Sequence, residues 1–249
     1  MSALRQPSDD RLAYFDRIFA TDLRYVPDCY TLCGDAHCCN YARYKQRFML
    51  LGGGDHELPL MPGEFDYMRT RGYLGQFGDY KLKEVAFAID QGMLRYQAIV
   101  SKRAGCVCDQ QTRATLCRLY PLFPQYDVSG ALVGVESVGI YEELERLDGL
   151  DQACRIGSIP IAEMDAFIGL ATHIGSDPVA VFHMEAFRHA KAAAAASVKH
   201  AMEASGKSAF RTFELLVLRA RLFDTEAIRQ ELSALAARFA EYHGSRFQL

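Results

Sequence analysis

The sequence predicts a mainly α protein in two parts, a loop-rich α+β region shaped by cysteines over residues 1–160 and a helical segment over residues 161–249. Three observations carry this expectation. Seven of the eight cysteines fall between Cys29 and Cys117, in stretches rich in turn-forming residues. Apolar residues recur at helical spacing, between recognisable caps, through the last third of the chain. Between these regions, Ala131 to Val138 reads as a strand. At 249 residues, half of them hydrophobic, the chain can bury one large core or two modest ones.

Residues 8 to 19 read as a helix, with Ser8 as cap and Leu12, Phe15 and Phe19 on one face. From Thr21 to Tyr44, Pro27, Gly34, Asp35 and Asn40 interrupt any regular period, so this stretch is expected to be a loop that presents its cysteines. Gly52-Gly53-Gly54-Asp55 lacks the flanking strand and the lysine of a phosphate-binding loop and reads as a turn. His56 to Met61 fits a short extended piece, and Pro62 to Arg71 a helix with Phe65 and Met68 inward, ended by Gly72. Residues 80 to 100 fit either a strand, from the alternation of Val85, Phe87 and Ile89, or a helix. A short acidic helix is expected from Tyr141 to Leu147.

The C-terminal third is more explicit. Asp177-Pro178 is a cap and first-turn pair, and the helix it opens runs to Ser205-Gly206 through five consecutive alanines, Ala192 to Ala196. A second helix, Ser208 to Phe223, aligns Phe210, Phe213, Val217 and Ala220. The third starts at Asp224-Thr225, carries Ile228, Leu232, Leu235 and Phe239, and stops at Gly244. Such helices can form a small bundle or clasp the cysteine region.

A net charge of −3 and a pI near 6.2 give no electrostatic case for nucleic acid, whose binding rests on Lys and Arg neutralising phosphates. The first ten residues turn acidic where a signal peptide needs an apolar run, and no apolar stretch reaches the ~18 residues of a membrane span. A cytoplasmic protein without membrane attachment is expected. Thiols stay reduced there, so a disulfide framework is disfavoured.

Buried cysteine is often a small hydrophobe, but clustering points elsewhere. Cys29, Cys33, Cys38 and Cys39 form one group and Cys106, Cys108 and Cys117 a second. Closely spaced thiolates on loops let several sulfurs converge on a soft or borderline metal, which makes the loop-rich part a metal-centred domain. The neighbours Cys38 and Cys39 do not readily share one tetrahedral ion, so two metals, or two irons of one cluster, are easier to build. Eight cysteines also equal two sets of four, which suits two zinc sites or a cluster plus a zinc.

Over roughly residues 29 to 121 the sequence resembles the YkgJ-like cysteine-cluster family, described as a zinc- or iron-chelating domain. Two spaced cysteines followed by a pair open that family's pattern, matched by Cys29, Cys33, Cys38 and Cys39 at wider intervals. Leu58-Pro59-Leu60-Met61-Pro62-Gly63-Glu64 resembles its extended piece before a helix. Its closing signature is matched by Arg113, with Ala114 in place of proline, and by Cys117-Arg118-Leu119-Tyr120-Pro121. Cys106 and Cys108 have one residue between them where members carry a hairpin, and Cys154 corresponds to a late cysteine of the family. The resemblance implies metal ligation by Cys29, Cys33, Cys38, Cys39, Cys106, Cys108, Cys117 and Cys154. The relatives include iron–sulfur proteins, among them flagellin lysine N-methylase.

Arg113 and Arg118 are candidate cofactor-binding residues, since a guanidinium beside a thiolate cluster offsets its negative charge; surface ion pairing is the plainer role. His37 and His56 lie near the first cluster and could complete a coordination shell. Glu185 and His189, with His183, have helical spacing suited to a metal, but a solvated helix face accounts for them. Two function classes remain. One is an iron–sulfur centre that moves electrons or supports modification of a protein or peptide partner, by an oxidoreductase or protein-modifying enzyme. The other is a zinc-stabilised interaction module without catalysis. The sequence does not separate them, because both use cysteine sulfur.

Overall fold

The computed structural model describes residues 7–23, 25, 47–51, 56–101, 109, 111–137, 139–150 and 159–249. These residues form an α+β fold with eight α-helices and two antiparallel sheets. Helix α1 (Asp9–Ala20) starts where the Ser8 side chain accepts from Arg11 N, and buries Phe15, Ile18 and Phe19. Strand β1 (His56–Leu60) leads into α2 (Glu64–Thr70). Expected from Pro62, this helix begins later because Gly63, at φ +79°, lies outside helical backbone. A 3₁₀ turn at Tyr73–Phe77 follows.

Residues 80–101, ambiguous in sequence, form a hairpin, β2 (Tyr80–Ile89) and β3 (Gly92–Ser101). Strand order is β1-β3-β2, and β1 pairs antiparallel with β3 from His56 opposite Ser101 to Leu60 opposite Gln97. After the short helix α3 (Thr115–Leu119), β4 (Leu122–Tyr126) and β5 (Leu132–Ser137) form the second sheet. Helix α4 (Ile140–Leu147) matches the acidic helix expected there, and α5 (Ile161–Ile174) buries Phe167, Leu170, Ala171 and Ile174.

Helix α6 (Pro178–Ser205) is capped by Asp177, which accepts from Val179 N and Ala180 N, and closes at Gly206, φ +65°. Arg11 bonds both the Asp177 carboxylate and the Pro62 carbonyl, tying α1 to the start of α6 and to the turn before α2. Helix α7 (Ala209–Leu218) is shorter than the stripe to Ala220 implied. Ala220 adopts φ +52°, and Arg221 N and Ala220 N bond back to Leu216 O and Val217 O, a Schellman closure built without glycine. Helix α8 (Thr225–His243), capped by Asp224, ends at Gly244 as expected.

One apolar cluster joins both sides of residue 160. It holds Phe15 and Ile18 of α1, Met68 of α2, Ile99 of β3, Phe182 of α6 and Phe239 of α8. Each such side chain contributes roughly 1.5–3 kcal/mol when buried. A second cluster places Leu144, Val198, Phe210 and Phe213 together, with Phe48 and Leu51 packed against them. No helix of the described residues is long and apolar enough to cross a membrane.

Candidate metal centre

Of the cysteines, Cys117 is described; Cys29, Cys33, Cys38, Cys39, Cys106, Cys108 and Cys154 lie outside the described residues, as do His37 and the side chain of His56. Cys117 sits on α3 as a partly exposed free thiol. Among the described residues no three His, Cys, Asp or Glu side chains converge so as to hold a metal ion. The geometry around α3 therefore concerns the chain that flanks the cysteines.

Arg118 is the organising residue. It is 3 % exposed, not on the surface as an ion-pairing role would require. Its Nε donates to Arg113 O at 2.9 Å, Nη1 to Thr21 O at 3.0 Å and Nη2 to Gln111 O at 2.5 Å. The guanidinium also lies 4.7 Å from the centre of the Phe19 ring. A planar fork with five N–H groups is the side chain that can satisfy three converging carbonyls at once. It joins the entry to the first cysteine segment, at Thr21, to the stretch between Cys108 and Cys117. Burial, with the nearby charge of Arg113, pushes the Arg118 pKa down to about 10, and Glu64 partly offsets this. Arg113 contributes its carbonyl, and its guanidinium bonds no described residue.

Glu64, which the sequence reading left without a role, is fully buried. Its Oε1 accepts from Thr115 N at 2.6 Å and Thr115 Oγ1 at 2.7 Å, and its Oε2 accepts from Met61 N at 2.8 Å. Burial raises its pKa, while these three bonds and the Arg118 charge pull it back. A carboxylate three residues after an extended piece, at the start of a helix, was the signal available in the sequence.

The other flanks meet nearby. Tyr25 Oη donates to Leu119 O at 2.8 Å, and Tyr120 Oη to Glu142 Oε1 of α4 at 2.9 Å. One turn on, Glu145 of α4 receives Arg47 at 3.7 Å, and its carbonyl accepts from Leu150 N at 2.8 Å. Residues 47–51 leave the first cysteine segment and dock on the C-terminal helices. Phe48 packs edge-on to Tyr141 and Phe210, and the backbone N–H groups of Leu50 and Leu51 donate to the buried Glu214. A cleft of about 350 Å³ opens beside α3, lined by Asp16, Phe19, Tyr67, Tyr73, Gln111 and Arg118.

His183, Glu185 and His189 do not form the solvated face expected of them, because the first half of α6 runs through the core. His183 is 7 % and Glu185 3 % exposed. His183 Nδ1 lies 2.9 Å from Val179 O and Nε2 3.1 Å from Arg95 O. Glu185 accepts from Tyr126 N at 2.9 Å and from Arg188 at 2.8 Å, and His189 pairs with Glu231. These partners fasten α6 to β3, β4 and α8. Comparison with protein-family models, with curated proteins and with solved structures gives no match.

Proposed function

We propose that the chain is a metal-binding cysteine-cluster protein of the YkgJ-like kind, carrying an iron–sulfur centre used in electron transfer or in modification of a protein or peptide. The observation that carries this reading is the Arg118 guanidinium, buried and bonded to Thr21, Gln111 and Arg113 carbonyls. Desolvating a charge to cross-link three loop carbonyls is costly and sensible where those loops must meet. Cys29 is tethered four residues beyond Tyr25, Cys108 three before Gln111, and Cys154 four after Leu150. Tyr25 and Gln111 bond to the helix that carries Cys117, at Leu119 O and through Arg118, so the chain leading to Cys29 and the chain leaving Cys108 lie beside that helix at these two residues.

The donor set fits the group. Thiolates are the ligands iron–sulfur clusters and zinc prefer, and Cys117 stands as a free thiol on an anchored helix. The cluster would supply one-electron chemistry. The chain's own residues would hold it: Cys29, Cys33, Cys38, Cys39, Cys106, Cys108, Cys117 and Cys154 as candidate ligands, with Arg118 placing a positive charge behind Cys117. The neighbouring cleft, with its aromatic and carboxylate walls, offers room for a side chain of a partner.

Metal analysis with visible spectroscopy on protein purified without oxygen tests the reading. Iron with acid-labile sulfide, and a brown colour that bleaches on reduction, is the expected result. Stoichiometric zinc in a colourless protein would replace it by the zinc-stabilised module, and a metal-free protein with all thiols titratable would end it.

A further inference from the structure

We infer that the open edge of β3 at Met93 and Arg95 binds the free N-terminal end of an extended, apolar peptide. The inference stands apart from the metal reading. A two-residue loop, Asp90-Gln91, closes the β2–β3 hairpin, so the flanking pair Ile89 and Gly92 exchange both of their hydrogen bonds. Alternate residues of β3, counted from Gly92, then face β2, while Met93, Arg95 and Gln97 turn their N–H and C=O groups to the opposite edge. Pro59 agrees with this, since it has no N–H to give and stands opposite Ala98, one of the residues that face β2. Strand β1 covers the opposite edge only as far as Leu60, across from Gln97, and the chain then leaves the sheet. His183 Nε2 lies 3.1 Å from the next group along, Arg95 O. After it, the Arg95 N–H and both backbone groups of Met93 bond no described residue.

These groups open into a cleft of about 320 Å³, walled by Met61, Pro62, Val179, His183 and Leu249. Unpaired donors and acceptors at strand spacing are met by another extended backbone. The side chains around them are mostly apolar, and Val85 and Met93 stay exposed at the mouth. Position decides which end of a peptide fits. A strand laid in line with β1 cannot run past His183 and Met61, so a chain terminus must lie there. Asp66 and Glu84 line the same cleft, Glu84 at the level of Gln97, and the Asp66 Oδ2 bonds no described residue while Oδ1 takes Arg69. Two carboxylates attract an ammonium and repel a carboxylate, so the terminus is the amino end and the peptide runs antiparallel to β3. Its first residue then accepts from the Arg95 N–H, and its third exchanges N–H and C=O bonds with Met93. The outer edge of β2 differs, because the exposed Lys81 and Lys83 guard it against added strands.

The test uses the full chain and the peptide Ala-Val-Leu-Ala amide as probe, read by amide NMR shifts. Saturable shifts are expected at the Met93 and Arg95 amides. Acetylating the probe's amino end, or Asp66→Asn in the protein, should weaken binding ~10-fold or more, the worth of a hydrogen bond to a charged group. Arg95→Pro removes the edge N–H without costing a bond to β2, and should weaken binding as much, whereas Arg95→Ala keeps the N–H and should bind at least as well as wild type. Absence of shifts at Met93 and Arg95, or shifts along β2 in their place, overturns the inference. Equal binding of the acetylated probe overturns it too, as does equal loss in Arg95→Ala and Arg95→Pro, which would assign the contact to the side chain. If Arg95→Pro fails to fold, a probe N-methylated at its third residue decides on the wild-type protein, since it lacks the N–H meant for Met93 O, and undiminished binding of that probe overturns the inference.

Discussion

The Tyr25 hydroxyl donates to the Leu119 carbonyl at 2.8 Å across 94 residues of sequence, so the chain entering the first cysteine segment is fastened to the helix that carries Cys117. Together with Arg118 on Thr21, this gives two independent links between the segments, both made by described residues and neither requiring a metal. The flanks of the cysteine segments are thus arranged by ordinary hydrogen bonding.

Arg118→Met should destabilise the fold by about 3–5 kcal/mol, because three carbonyls and the Glu64 carboxylate lose a buried cationic partner. Arg118→Lys should recover only part of this, since an ammonium cannot reproduce the planar fork. Guanidinium unfolding of the three proteins reads the difference; a loss below about 1 kcal/mol for Met, the range of surface pairs, would mean that the guanidinium does not cross-link these loops.

Glu214 gives a pH dependence of definite sign. Burial alone would raise its pKa, but bonds from Leu51 N, Leu50 N and Arg211 hold the carboxyl below its usual range. A depressed folded pKa contributes stability that is present above the unfolded value, about 4.3, and lost as pH falls through the folded value. The stability gap between wild type and Glu214→Gln should therefore be widest at neutral pH and close below it in acid, measured by denaturant midpoints at each pH. A gap constant across that range would contradict the assignment.

Phe182, wholly buried, meets Phe239 and Phe247 edge-on at 5.6 and 5.2 Å. Phe182→Ala should cost about 3–5 kcal/mol. Because the same apolar cluster contains Phe15 and Ile99, amide exchange should accelerate in α1 and β3 as well as in α6 and α8. Protection unchanged outside the C-terminal helices would show that the shared cluster does not couple them.

On the metal reading, replacing Cys38 and Cys39 by Ser, or adding a chelator, should expose residues 26 to 44 and 102 to 108 to protease, since ligation would supply there the stability that hydrogen bonds give the flanking residues Thr21, Tyr25 and Gln111. Helices α6 to α8 should keep their circular dichroism. A double mutant that binds no metal yet melts and cleaves like wild type would remove the cysteines from any role in this fold.

The sequence by itself determined the helices whose ends carry their own chemistry. Ser8, Asp177 and Asp224 accept from the N–H groups that their spacing implied, and Gly206 and Gly244 close α6 and α8. Capping is local, so it can be read from neighbouring residues. The clustering of cysteines is equally legible as a pattern, and so is the arginine beside Cys117. Its mode of action was not legible. What Arg118 does depends on carbonyls at Thr21, Gln111 and Arg113, and backbone carbonyls leave no mark in a sequence. Glu64 escaped for the same reason, since its partner Thr115 is 51 residues away. The hairpin at 80–101 was undecided because the alternation of β2 is weak, and pairing with β3 settled it. The His183–Glu185 face was misread because helical spacing tells which residues share a side, whereas only packing tells which side is buried. Tertiary structure decided these points because each rests on a partner distant in sequence, where local periodicity carries no information.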